Sequence, residues 1–198
     1  APVTVLPPGA DSVSWAANPI TGGRGLNVWI YLASVAPQGG IRVALASSLP
    51  TVLRVPSDIL VPEGSRAIRI LAEIEPVGSN TNVFLNATAL GITVQSPALT
   101  VLAPVLASIA VLSTTMQRGA TQNGAVYLNG PTATAGMTVF LTSSNPSILT
   151  VPASVTVTAG RYAAPFAVRA LPGTGSAAVT ITARLGTVQK TVVVNVTP

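Results

Sequence analysis

The sequence predicts an all-β chain built as two tandem sandwiches, and three observations carry that prediction. Val, Thr and Ile dominate, in short alternating runs bounded by Gly, Pro, Asn and Ser, which is the pattern of half-buried strands between turns. No segment holds a helical apolar period for three turns, so almost no helix is expected. Most tellingly, one stretch occurs twice. Residues 47–64 and 143–160 align with Pro50 on Pro146, Leu53 on Leu149, Val55-Pro56 on Val151-Pro152 and Gly64 on Gly160, each pair 96 positions apart. The chain therefore divides into two units, 1–103 and 104–198, joined through residues 103–107 and expected to stack end to end.

Taken in order, the first unit offers strands at 12–17, 27–33, 41–46, 51–55, 58–61, 67–73, 82–89 and 93–102. The second repeats them at 108–113, 125–129, 137–142, 147–151, 154–157, 163–169, 178–183 and 188–196. Seven or eight short strands per unit, with a turn about every 8–12 residues, is the count of a β-sandwich. Matches between the copies fall on core positions: Tyr31-Leu32 on Tyr127-Leu128, Val43 and Leu45 on Val139 and Leu141, and Val83, Leu85 and Ala87 on Val179, Ile181 and Ala183. Spacing by two puts each set on one face of its strand. Within the repeated stretch, Asn145-Pro146 makes a turn and Pro152 removes a backbone donor. Leu149, Val151, Val155 and Val157 point inward, so the segment reads as an edge crossing between two sheets.

Composition narrows the chemistry. Hydrophobic residues make up 48% and charged residues 8%, against about 25% charged in ordinary globular proteins. With no Cys and no His, disulfides, thiolate and imidazole catalysis and the usual zinc ligands are excluded. The longest apolar stretch, 101–112, is interrupted by Pro104 and Ser108 and is too short for a membrane helix. A small outer-membrane barrel would need strands of about 9–11 residues, longer than most of those expected here. The chain opens on Ala1-Pro2-Val3-Thr4 rather than on a signal peptide, so export implies a leader already removed.

Few residues suggest a site. Glu73 and Glu75 share a face at a strand end, yet Arg169 and Leu171 take their places in the second copy; a solvated strand end is the reading, and no metal or other cofactor is expected. Gly22-Gly23-Arg24-Gly25 and Gly173-Thr174-Gly175 lack the following helix that a phosphate loop needs, and read as turns. Unit 1 is formally neutral, while Arg118, Arg161, Arg169, Arg184 and Lys190 give unit 2 the whole net charge of +5. Scattered cations without interleaved aromatics argue against nucleic acid; an anionic polysaccharide or a neighbouring subunit is the better counterpart. With Val28, Ile30 and Leu32 inward on one strand and Val83, Leu85 and Ala87 inward on another, Trp29, Tyr31 and Phe84 face out as a candidate interaction surface. Asn86-Ala87-Thr88 and Asn195-Val196-Thr197 fit the N-glycosylation triplet.

The stretch Tyr127-Leu128-Asn129-Gly130-Pro131, together with residues 143–160, Val179-Thr180-Ile181-Thr182-Ala183 and Val194-Asn195-Val196-Thr197-Pro198, resembles the immunoglobulin-like repeats of large bacterial secreted and cell-surface proteins. Unit 1 fits more loosely, with Leu49 before its proline and Pro62-Glu63 in place of Thr158-Ala159. The resemblance implies two tandem Ig-like β-sandwich domains used as spacer, stalk or adhesive module, with no catalytic residues. Val3-Thr4-Val5-Leu6 in turn resembles Leu99-Thr100-Val101-Leu102. That segment is a strand from a preceding repeat, a strand for exchange into a neighbouring molecule, or an extra first strand of unit 1.

The expectation is a non-catalytic extracellular structural module of a stalk, filament, surface layer or adhesin, working through end-to-end and lateral contacts with its own kind. A carbohydrate- or surface-binding accessory module of a larger secreted protein is the alternative.

Overall fold

The computed structural model describes residues 8–198, and the chain divides into two compact units with the boundary between Ala103 and Pro104. Unit 1 contains β1 (Ala10–Trp15), β2 (Ile20–Thr21), β3 (Arg24–Leu32), β4 (Ile41–Ser47), β5 (Leu53–Arg54), β6 (Asp58–Val61), β7 (Ala67–Ile74), β8 (Thr81–Val83), β9 (Leu85–Ala89), β10 (Ile92–Gln95) and β11 (Leu99–Leu102). Unit 2 contains β12 (Leu106–Val111), β13 (Thr115–Gln117), β14 (Thr121–Leu128), β15 (Met137–Ser143), β16 (Leu149–Thr150), β17 (Ser154–Val157), β18 (Ala163–Ala170), β19 (Ala177–Leu185) and β20 (Val188–Thr197). Leu106 and Ala107, expected in the connection, already belong to β12.

Each unit is a sandwich. In unit 1, a sheet of order β1-β3-β7-β5 faces β10-β9-β4-β6 and the smaller β2-β11-β8; in unit 2, β12-β14-β18-β16 faces β13-β20-β19-β15-β17. Alternation drives this. Val28, Ile30 and Leu32 of β3, Val43 and Leu45 of β4, and Val83, Leu85 and Ala87 around β8 and β9 all enter one buried cluster, while the residues between them stay at least partly accessible. Val126, Leu128, Val139, Leu141, Val179, Ile181 and Ala183 build the second. Full burial of a Val, Leu or Ile side chain contributes about 1.5–3 kcal/mol, so these periods dominate the choice of fold.

The repeated stretch crosses between sheets at their edges. β16 pairs β18 at the rim of one sheet, and β17 pairs β15 at the rim of the other; β5 and β6 do the same in unit 1. Pro56 and Pro152 lie in the crossings, where a missing backbone donor leaves no ladder bond unmade. The paired serines before each crossing act identically. Ser47 and Ser143 accept from Leu49 N and Asn145 N at 3.1 and 3.2 Å. Ser48 and Ser144 accept from Phe84 N and Thr180 N at 2.9 and 3.0 Å.

Where unit 2 has two continuous strands, β19 and β20, unit 1 breaks both. The expected strand 93–102 is split into β10 and β11. Val83 pairs Leu99, while Ser96 N donates to Leu85 O at 2.8 Å and Ser96 Oγ accepts from Leu85 N at 3.0 Å. Phe84 therefore stands opposite both Pro97 and Ala98, a one-residue bulge at which Pro97 supplies no N–H. Side chains from the other end of the unit close it: Trp15 Nε1 donates to Pro97 O at 2.9 Å and Asn18 Nδ2 to Ala98 O at 2.7 Å, while Asn18 Oδ1 accepts from Thr100 N at 2.9 Å.

The cores also differ by compensating volumes. Val28 pairs Ile70 in unit 1, and the equivalent pair in unit 2 is Gly124 and Phe166. A Cβ on Gly124 would come within 2.6 Å of Phe166 Cζ, so the larger ring is housed only because its partner has no side chain.

Candidate interaction surfaces

The outward positions of β3 and β7 form the first surface. Trp29 lies opposite Arg69 and Tyr31 opposite Ala67; on the other flank, Ser14 and Ser12 of β1 sit beside the two aromatics. The Arg69 guanidinium lies 5.8 Å from the Trp29 ring centroid, a cation–π geometry. Trp29 is 38% exposed and Leu71, on the same face, 65%. Leu71 lies across Gly25, where a Cβ would approach its Cδ1 to 3.0 Å.

Phe84 does not join them. It sits at the bulge between β8 and β9, in the sheets opposite β3, and is half-buried. The structure thus places Trp29 and Tyr31 together and Phe84 on the other side of the sandwich. The segment Val3-Thr4-Val5-Leu6 lies outside the described residues.

The remaining candidates resolve into structure. Glu75 pairs with Arg54, Nε to Oε1 at 3.2 Å, with both side chains accessible. Arg42 pairs with Asp58 across β4 and β6, and Arg66 Nε donates to Leu32 O at 3.0 Å. Among the described residues no three His, Cys, Asp or Glu gather as metal ligands. Gly22 and Gly23 turn directly into β3, with Gly23 N donating to Ile74 O at 2.7 Å. In unit 2, Arg118 Nε donates to Gly175 O at 3.0 Å across the other glycine-rich turn.

Sequence reasoning passed over a second exposed aromatic face. Phe140 of β15 is 60% exposed and lies opposite Arg184 of β19, which lies opposite Gln189 of β20. Inward Val139 and Leu141 imply an outward Phe140, by the same alternation that singles out Trp29. Its counterpart in the repeat is Ala44, so a search for shared positions passes it by. Trp15 escaped for another reason, since its partner is 82 residues away.

No protein-family model and no curated protein sequence matches the chain. Among solved structures, invasin, described as a bacterial integrin-binding protein, is similar at 16% identity with a TM-score of 0.56, over 93% of this chain and 39% of its own. Domains 4 and 5 of the S-layer protein SbsC align at 20% identity and a TM-score of 0.41, over 96% and 99%. The Escherichia coli adhesin FdeC aligns at 11% identity and 0.42, over 96% and 66%. Together with the strand order above, the likeness to invasin gives the fold as a tandem β-sandwich of the immunoglobulin-like kind.

Proposed function

We propose that the chain is a non-catalytic structural or adhesive module of a bacterial surface or secreted assembly, held to further copies of itself by protein contact. The apolar outer face of unit 1 carries this reading. Trp29, Tyr31 and Leu71 stand together on a sheet face, and a stable fold gains little from keeping such side chains in water, whereas a contact with another molecule buries them. The low charge content, 8%, supports close association between like surfaces. The edge prolines of both units favour contact through faces rather than through open sheet edges.

Sedimentation velocity over a wide concentration range, with electron microscopy of the concentrated sample, tests the reading. Concentration-dependent assembly is expected, with Leu71→Lys weakening it at least tenfold. A chain that stays monomeric throughout and yields only dispersed particles would count against it.

A further inference from the structure

The outer face of the five-stranded sheet in unit 2 has the makings of a ligand site. Phe140, Arg184 and Gln189 form one row across β15, β19 and β20, and Thr142, Thr182 and Thr191 form the next. Between them, Phe140, Thr142, Thr182, Arg184, Gly186 and Gln189 line an open depression of about 550 Å³.

The polar groups there are uncommitted. The side chains of Thr142, Thr182 and Gln189 make no hydrogen bond within the described protein. Arg184 donates Nε–H to Gly186 O at 2.9 Å, which fixes the guanidinium while leaving both terminal amino groups free. The equivalent positions in unit 1 are Ala44, Ala46, Asn86, Thr88, Leu90 and Thr93, with Gln95 in place of Thr191, and polar groups there bond one another: Thr88 Oγ1 lies 2.8 Å from Thr93 Oγ1, and Gln95 Nε2 donates to Asn86 Oδ1 at 3.2 Å. The sandwich thus folds without an aromatic ring or a guanidinium at this place.

The chemistry of these groups selects a ligand. Ladders on both sides of β19 consume the backbone groups, so a ligand meets side chains alone, and a peptide strand seeking an open edge is poorly served. An exposed ring beside hydroxyl and amide groups suits a sugar, whose C–H face stacks on the ring while its hydroxyls bond at the sides. A guanidinium with two free terminal amino groups suits a carboxylate. Unit 2 contains no Asp or Glu, so nothing within it competes for Arg184 or repels an anion. Single-stranded nucleic acid would call for a track of cations and several stacking rings, and this face has one of each.

We propose that the face centred on Phe140 and Arg184 binds an acidic polysaccharide with carboxylate-bearing sugars, the ring stacking on a sugar and the guanidinium holding its carboxylate. The site is independent of the self-association assigned to unit 1.

Isothermal titration of the full chain with a galacturonate oligosaccharide tests this, alongside a neutral oligosaccharide and an oligothymidylate of similar charge. Saturable binding of the galacturonate is expected, at least tenfold tighter than either comparison. Phe140→Ala and Arg184→Gln should each weaken it at least tenfold, and Tyr162→Ala, which removes an exposed aromatic away from this face, should leave it unchanged. Circular dichroism checks folding, and Gln189→Ala reads the same face should either variant unfold. Absence of binding, loss in Arg184→Gln without loss in Phe140→Ala, insensitivity to all face variants, or equal affinity for oligothymidylate would each overturn the proposal.

Discussion

Val28 opposite Ile70 and Gly124 opposite Phe166 occupy the same place in two copies of one scaffold. Around them the backbone devices are conserved to the atom: Ser48 and Ser144 accept from equivalent amides at nearly the same distance. Outside, the units part company. Unit 1 exposes Trp29 and Leu71 on the sheet β1-β3-β7-β5, where unit 2 has Ala125 and Ala167 and exposes Tyr127, and unit 2 adds Phe140 on the opposite sheet of its sandwich. Unit 1 pairs Arg42 and Arg54 with carboxylates, and unit 2 has no carboxylate to offer. The difference teaches that the repeat specifies hydrogen-bonded turns and inward periodicity, and leaves the outer faces free to diverge.

Both tryptophans lie in unit 1, so fluorescence follows that unit while far-UV circular dichroism follows both, and each comparison can be broken separately. The largest effect is expected from Gly124→Val, which overpacks Phe166 and should destabilise unit 2 by about 3 kcal/mol. Adding Phe166→Ile, and so recreating the pair found in unit 1, should recover most of the loss in urea denaturation. Asn18→Ala removes both side-chain bonds to the bulge and should lower the stability of unit 1 by about 2 kcal/mol, read by fluorescence. Thr114→Ala, the equivalent change in unit 2 where the side chain makes no such bond, should be nearly silent in circular dichroism.

The hairpin turns supply a sharper contrast. Leu90 sits at φ 51° and its counterpart Gly186 at φ 58°, a region that costs a side chain about 1–2 kcal/mol. Leu90→Asn yields the Asn-Gly turn that hairpins favour and should raise the thermal midpoint of unit 1, by about 1 kcal/mol in stability. Gly186→Ala should lower unit 2 by about as much, since its Cβ meets nothing within 4 Å and only the backbone resists. Least of all, Arg54→Gln should cost under about 0.5 kcal/mol and lose even that in high salt, because both partners of the pair are accessible.

The fold was legible because its causes are local. A two-residue period in Val28 to Leu32 or Val139 to Leu141 states which side is buried, whatever the rest of the chain does. What escaped depends on distant partners. β2 and β13 are two and three residues long and pair in parallel with strands about 80 residues away, leaving no local mark. Pro97 was visible, but that it marks a bulge follows only from the register of Val83 on Leu99 and of Leu85 on Ser96. Of the candidate surface, Trp29 and Tyr31 lie two residues apart on one face of β3, while Phe84 lies on the opposite side of the sandwich, since alternation cannot say which sheet a strand joins.

Neighbouring repeats with the same register invite a folding error, the exchange of a strand from one unit into the other. Here the paired volumes discriminate against it. Were β18 to dock beside β3, Phe166 would arrive where Val28 leaves no room; were β7 to dock beside β14, Ile70 would face the empty place of Gly124 and leave a void. The bulk is thus swapped across one strand pair, so that β18 is matched in volume to β14 and β7 to β3.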